Sequence, residues 1–323
     1  MKLNLAKSWQ QYLESWTSCM GDTYWFKQQH FFDYNREEET AALRGDFAKG
    51  ENIFLVASDE DGVLGTLGIN VHGGRGTLWR WEPAVPLQHR GGGVGEGLLV
   101  EGMRLALERG ARKLTATLRY PHDMEKPWCG NLYESLGFRE IKPGLQLIIR
   151  LKERGYEPPL ALETRPCDEY SEEEITQLVL RCFATTPEDI AIHGEDENVS
   201  DPVVAEKVIR FQREGGVGKS PAELRKVALM DGEPAGFIRS FIREKSYRPR
   251  FGLIGQLGVL PKYRKRGIGL SLVMDSLNAM KLRDCEYVYV GTPQSNHNAI
   301  RLYENVGFNP IFKISFYEKK LDS

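Results

Sequence analysis

Two stretches decide how this chain reads: HRGGGVG at residues 89–95 and YRKRGIG at residues 263–269. Each places an arginine ahead of a glycine run, and the two agree in spacing and in their closing glycines. A strand that ends in glycines and opens a helix aims several backbone N–H groups, and the positive end of the helix dipole, at one spot. Such a spot binds anions. Glycine also lets a phosphate approach the backbone with no Cβ in the way. Arg90 and Arg264, with Lys265 and Arg266, add positive charge at the mouth. A plain turn explains one such loop, but two in register ask for a common cause.

The flanking text repeats as well. NIFLVAS-DEDG-VLGTLGINV (52–71) and RKVALM-DG-EPAGFIRSFI (225–242) are strand pairs turning at Asp61-Gly62 and Asp231-Gly232, a hairpin signal. A further strand, the glycine loop and a helix follow in each half. The second helix carries Leu270, Val273, Leu277 and Met280 on one face; the first carries Val94, Leu98 and Leu105 but also Gly97 and Gly102. Interior glycine costs about 1 kcal/mol against alanine, so close packing or ligand approach must justify it. Strands KLTATLRY (113–120) and EYVYVGT (286–292) precede two short helices of nearly the same wording, NLYESLGF (131–138) and RLYENVGF (301–308). Gly93 to Tyr133 spans 40 residues and Gly267 to Tyr303 spans 36. The chain is an internal duplication, dividing near KERGYEPP (152–159), with domains expected at 1–153 and 154–323.

Length and composition agree. The 323 residues suit two domains of ~100–200 residues, and 41% apolar residues are enough for packed cores. Lys plus Arg total 43 against 45 Asp plus Glu, so no basic surplus favours nucleic acid. No run approaches the ~18 apolar residues of a membrane helix, and the first residues lack a secretory stretch. The five cysteines (Cys19, Cys129, Cys167, Cys182, Cys285) are scattered and form no C-x-x-C, as expected of reduced thiols in a cytoplasmic protein without a zinc site.

Two other phosphate loops fail. A dinucleotide fingerprint needs a third glycine where Leu98 and Leu272 stand. GGVGKS (215–220) has Arg213 where a Walker A loop needs glycine, and a strand follows it. It reads as a surface loop.

The ordered set resembles the GNAT N-acetyltransferases, once in each half. That family's [Q/R]-x-x-G-x-[G/A] signature is met by Arg264-Lys265-Arg266-Gly267-Ile268-Gly269 and by Arg90-Gly91-Gly92-Gly93-Val94-Gly95. Val259-Leu260-Pro261 precedes the second, and Asn296, Ala299, Leu302, Tyr303, Gly307 and Phe308 follow in N-x-x-A-x-x-L-Y-x-x-x-G-F order. The resemblance implies an α/β (α+β) fold of two tandem GNAT domains, each a mixed, mostly antiparallel sheet flanked by helices, in an arrangement like that of mycothiol synthase. It implies acetyl-CoA as co-substrate and no metal. The pyrophosphate would sit on the N–H groups of residues 264–269, and the pantetheine arm would pair with the edge of Leu257, Gly258 and Val259. Asn296 would join this site. Val85 and residues 90–95 would be the first-half counterparts. Tyr303 would be the general acid toward the CoA thiolate, and Tyr133 its first-half counterpart.

Departures qualify the match. FGLIGQLGV (251–259) lacks the glutamate that many members use as base; Gln256 cannot take a proton. A water relay or His297 could serve, and no base is assigned. The first half has Glu82 on its strand, but Lys126 and Cys129 stand where Asn296 and Ala299 are found. That half is expected to bind acetyl-CoA yet catalyse poorly, or to serve as a scaffold, and the second half to be catalytic.

The expected acceptor is a primary amine of a small molecule or peptide, with neither nucleic acid nor membrane as partner and a monomer or homodimer as the assembly. TTPEDIAIHGEDENVSDP (185–202) is acidic through Glu188, Asp189, Glu195, Asp196, Glu197 and Asp201, which would favour a cationic amine if it overhangs the cleft. A solvated loop accounts for the same residues. The aromatic stretch Trp16 to Tyr34 reads as a pocket wall or as core. Two rivals stand: a non-catalytic acyl-CoA-binding or sensor module, and an aminoacyl-tRNA-dependent transferase of related fold, which has no need of a pyrophosphate loop.

Overall fold

The computed structural model describes residues 1–30, 36–50, 52–78, 82–193, 197–214, 217–245 and 248–321. The chain forms two compact units, Met1–Pro143 with Lys313–Ser323, and Gly144–Phe312. In the first lie β1 (Lys2–Leu5), α1 (Trp9–His30), α2 (Arg36–Ala48), β2 (Ile53–Ser58), β3 (Val63–His72), β4 (Arg75–Thr77), α3 (Val94–Glu108), β5 (Lys113–Pro121) and α4 (Trp128–Ser135). β6 (Arg139–Arg150) crosses into the second unit. There follow β7 (Glu163–Pro166), α5 (Glu172–Phe183), α6 (Pro187–His193), α7 (Glu197–Ser200), α8 (Pro202–Arg213), β8 (Arg225–Met230), β9 (Glu233–Lys245), β10 (Arg248–Val259), α9 (Ile268–Lys281), β11 (Tyr287–Pro293), α10 (His297–Val306) and β12 (Asn309–Lys320).

Each unit is a mixed sheet covered on both faces. In the first, β1 to β4 pair antiparallel in sequence order and β4 pairs parallel with β5. Along β2, Ile53, Leu55 and Ala57 pack toward α3, while Phe54 and Val56 join Tyr12 and Trp16 of α1. Alternate residues therefore enter opposite cores, which is why the whole strand is apolar. Gly102 of α3 is explained by close packing, since a Cβ there would lie 2.7 Å from Leu67 and 2.9 Å from Ile69. The Asp61-Gly62 turn belongs to a longer loop in which the Asp59 carboxylate accepts from the Asp61 and Gly62 N–H groups. The second hairpin is tighter: Asp231 and Gly232 both have positive φ (55° and 81°), as a two-residue type I′ turn requires. Trp79 to Trp81, ahead of the first glycine loop, lie outside the described residues, as do Gly215 and Gly216 of GGVGKS, Glu195 and Asp196, and Phe31 to Tyr34.

In the second unit β7, β8, β9 and β10 pair antiparallel and β10 pairs parallel with β11. α9 covers one face through Leu272, Val273, Leu277 and Met280, and α5 and α8 cover the other through Val179, Cys182 and Ile209. Leu270, expected on the buried face of α9, is only partly buried.

The expected boundary at residues 153/154 is displaced, for a reason that lies in strand pairing. From Gly144 to Arg150, β6 pairs antiparallel with β11, from Gly144 opposite Pro293 to Arg150 opposite Tyr287. From Lys313 onward, β12 belongs to the first unit and neighbours β5 there. The Leu321 N–H donates to the Arg112 carbonyl (2.9 Å), and the Tyr317 ring packs 5.4 Å from that of Tyr133. Each half thus lends its closing strand to the unit built mainly from the other. KERGYEPP is a strap within the second unit: Asn278 of α9 exchanges two 2.8 Å hydrogen bonds with the Tyr156 backbone, and the Leu160 N–H donates to Ser271 Oγ (3.0 Å).

This arrangement makes deletion of residues 313–323 a lesion of the first half. Tyr317 is fully buried, and losing a large aromatic from a core costs about 3–5 kcal/mol. Limited proteolysis of the truncated chain should cut residues 1–143 first. Unchanged protection of those residues would contradict the strand assignment.

Candidate functional site

β10 builds one wall of a cleft by parting from its neighbour. Its pairing with β11 runs from Phe251–Tyr287 to Ile254–Val290 and stops, while its pairing with β9 continues to Val259–Gly236 across a register shift between Ile254 and Gln256. Gly255 sits in that shift, where a Cβ would meet the Phe241 ring at 2.5 Å. Beyond it, Leu257, Gly258 and Val259 have no strand partner on the β11 side among the described residues. Backbone hydrogen-bonding groups left at such an edge can accept an extended ligand.

The glycine loop closes the end of the cleft. Lys265 (φ 58°) and Gly267 (φ 84°) are left-handed, and their counterparts Gly91 (φ 80°) and Gly93 (φ 77°) repeat the geometry. Gly267 and Gly93 are the N-caps of α9 and α3, without a side-chain cap. Among the described residues, the N–H groups of residues 265–270 donate to no backbone or side-chain acceptor. The first four N–H groups of a helix have no partner within it, and alternating left-handed residues converge them into an anion-binding nest. The residues therefore fit a diphosphate.

A cleft of ≈ 340 Å³ gathers Leu257, Gly258, Val259, Arg264, Lys265, Gly267, Ile268, Gly269, Asn296 and Tyr303. Of the second-half residues expected to hold acetyl-CoA or to serve as the acid, Arg266 is the one not among its lining residues; its guanidinium lies 5.6 Å from the Tyr263 ring. Asn296 caps α10, its Oδ1 accepting from the Ala299 N–H (3.1 Å), which explains that spacing in the motif. Tyr303 is 4% exposed, its hydroxyl has no hydrogen-bond partner among the described residues, and burial pushes its phenol well above the usual value. The phenol therefore keeps its proton at neutral pH.

Arg264 does other work than expected. Its Nε donates to the Val259 carbonyl (3.0 Å) at the end of β10, and Arg90 Nε donates likewise to Val85 (2.9 Å), the residue after the Thr66–Ala84 bridge. Arg264 also donates to the Cys182 carbonyl (2.8 Å) and pairs with the Asp189 carboxylate (2.9 Å). Its charge is neutralised, and it ties the loop to α5 and α6. Gln256 is likewise engaged, accepting from the buried Arg239 (3.0 Å), and is not part of the cleft lining.

The acidic segment is largely structured. Glu188 and Asp189 line the cleft, but Glu188 accepts from Asn298 (3.0 Å) and Asp189 is held by Arg264 and Thr186. Asp201 caps α8. Cys182, Phe183, Ile192 and His193 also line the cleft. No motif spacing singled these out, because they come from helices α5 and α6, outside the repeated text. His297, suggested from the sequence as a base, is not among the lining residues.

The first-half residues share the loop conformation but differ around it. Trp128, which matches Asn298 when counted back from the tyrosines, packs against Gly95: a Cβ there would lie 3.0 Å from the indole. The Arg90 guanidinium sits 5.0 Å from that ring. Val85, Val94 and Gly95 are buried. Tyr133 is wholly buried between Phe138 and Tyr317, and its hydroxyl is sealed without a hydrogen-bond partner among the described residues. Burial, and then the charges of Cys129 and Glu82, push its phenol well up.

Comparison with known proteins bears on both halves. The acetyltransferase (GNAT) family model matches residues 191–308, and an acetyltransferase (GNAT) domain model matches residues 50–140. An N-alpha-acetyltransferase 30 of Xenopus laevis is 46% identical over 59 residues, 18% of this chain and 22% of that protein. An N-alpha-acetyltransferase of Sulfurisphaera tokodaii is 33% identical over 99 residues, 28% of this chain and 59% of that protein. The matches thus span less than two thirds of either relative. A GCN5-related N-acetyltransferase of Sphaerobacter thermophilus shares the fold over 90% of this chain and 87% of its own, with a TM-score of 0.62 and 19% identity. With a match in each half and the repeated loop and tyrosine helix in register, the chain belongs to the GNAT acetyltransferase family, one domain of that family in each half.

Proposed function

We propose that the chain is an acetyl-CoA-dependent N-acetyltransferase whose second half carries out the transfer. The observation that carries this reading is the cleft, which joins an unpartnered strand edge, a nest of N–H groups and a protonated tyrosine in one place. The nest of residues 265–269 would hold the CoA diphosphate by charge-assisted hydrogen bonds. Acetyl-CoA supplies an activated acyl carbon on a thiolate leaving group. The edge of Leu257–Val259 would orient the arm and polarise the thioester carbonyl through a backbone N–H. Tyr303 would give its proton to the departing thiolate.

The first half is a scaffold on this account. The indole of Trp128 at its loop and the sealed hydroxyl of Tyr133 support that division. For the acceptor we propose the α-amino group of a peptide, on the strength of the N-alpha-acetyltransferases among the relatives. Thiol release from acetyl-CoA, followed over short peptides with a free or a formylated N-terminus, tests the proposal. Release is expected only with the free amine. Equal release from both would refute amine transfer, and release with small amines but no peptide would move the acceptor class.

A further inference from the structure

We infer that Glu188 selects acceptors carrying a second cation beyond the attacked amine, an inference that rests on the acetyltransferase reading above and specifies its acceptor. In a peptide, that cation is a lysine or arginine close behind the first residue. A carboxylate without a counter-ion on the wall of a cleft draws a cation to it and steers its approach.

Among the described residues, the lysine, arginine and carboxylate side chains that line the cleft are Glu188, Asp189, Arg264 and Lys265. Asp189, 6% exposed, and Arg264 cancel each other as an ion pair at 2.9 Å. Lys265 belongs to the glycine loop, at the end proposed for the diphosphate. Glu188 is left. Asn298 of α10 donates to its Oε1 (3.0 Å), and no lysine or arginine among the described residues pairs with it. The wall beside it is apolar through Phe183 and Ile192, and the Cys182 thiol, pushed up to about 12 mainly by burial, keeps its proton. The turn that carries Glu188 is also fixed in place. At the start of α6 the Asp189 N–H donates to the Thr186 hydroxyl (3.1 Å), which donates in turn to the Asp189 carboxylate (2.6 Å). Arg264 ties this turn to the Cys182 carbonyl (2.8 Å) and to the Val259 carbonyl (3.0 Å) at the end of β10. A carboxylate held this way has little freedom left to lose when a ligand binds.

Depth decides which nitrogen Glu188 meets. Tyr303, proposed to protonate the thiolate, is 4% exposed, and its hydroxyl has no hydrogen-bond partner among the described residues. Transfer therefore takes place at the buried end of the cleft, whereas Glu188 is exposed. The attacking nitrogen has to be neutral, and a carboxylate against it would hold it as ammonium. A carboxylate at the rim instead suits a group that keeps its charge throughout, further along the acceptor.

The test follows thiol release by the full-length chain from acetyl-CoA, with pairs of short peptides that have a free α-amine. Each pair differs at the second or the third residue, arginine against citrulline, its neutral isostere. The parent should favour arginine about fivefold to tenfold in kcat/KM at low salt, less as added salt screens the rim. In Glu188→Gln, whose amide can still accept from Asn298, the ratio should fall to within about twofold of unity, and in Glu188→Lys it should invert. Each ratio is taken within one protein, so a loss of folded fraction cancels. A ratio near unity in the parent at both positions, or one that survives Glu188→Gln, would overturn the role of Glu188 while leaving the transferase reading intact. A simple diamine that outruns every peptide in the parent but not in Glu188→Gln would uphold the carboxylate and overturn the peptide as carrier. A parent chain that releases no thiol with any primary amine would overturn both readings.

Discussion

Gly267→Glu is expected to abolish acetyl-CoA binding while the fold survives. Gly267 has φ 84°, where a side chain costs about 1–2 kcal/mol. The nearest atoms to its Cβ would be those of Leu160 at 3.4 Å and Pro159 at 3.8 Å, ordinary contact distances, so the backbone can hold its course. The lesion is electrostatic: a carboxylate placed at the N-terminus of α9 competes for the N–H groups proposed for the diphosphate. Losing two charge-assisted hydrogen bonds at about 1.5–3 kcal/mol each corresponds to roughly 10²–10⁴-fold in affinity. Gly93→Glu meets the same backbone strain at φ 77° with no atom within 4 Å of its Cβ. It should cost similar stability and leave acetyl-CoA affinity as it was. Calorimetric affinities of the two variants check this; equal affinity for Gly267→Glu and the parent would remove the second loop from the donor site.

Tyr303→Phe should lower kcat by about 10²–10⁴-fold, the usual worth of a positioned proton donor. Acetyl-CoA affinity should change by less than about twofold. The hydroxyl makes no hydrogen bond to a described residue, so its removal leaves the fold without a lost partner. Tyr133→Phe supplies the contrast. That hydroxyl is buried and unsatisfied, and deleting it should raise stability by about 1 kcal/mol with kcat intact. Steady-state kinetics and thermal unfolding on both variants give the comparison. Full activity in Tyr303→Phe would reduce Tyr303 to packing, and equal loss in Tyr133→Phe would make both halves catalytic.

Much of this site was legible because its chemistry is local. Arg264 to Gly269, Asn296 and Tyr303 are spaced by the geometry of one loop and one helix, and the duplication displayed that spacing twice. The exchange of β6 and β12 was not legible. REIKPGLQLIIR and NPIFKISFYEKK each follow a tyrosine helix, and nothing within a strand names the neighbour it will choose. Arg264 looked like a free charge at the mouth because its partner Asp189 is 75 residues distant in sequence. His193 was hidden for a similar reason. It lies on α6, whose short helical text repeats nowhere, and only folding brings it to the cleft that the loop and Tyr303 also line.

Calorimetric titration of the intact chain with acetyl-CoA tests the central claim most directly, with stoichiometry read before affinity. The account predicts one site per chain, lost in Gly267→Glu and retained in Gly93→Glu. Two sites would make the first-half loop a working cradle despite Trp128, and no heat of binding would leave the fold without its proposed donor.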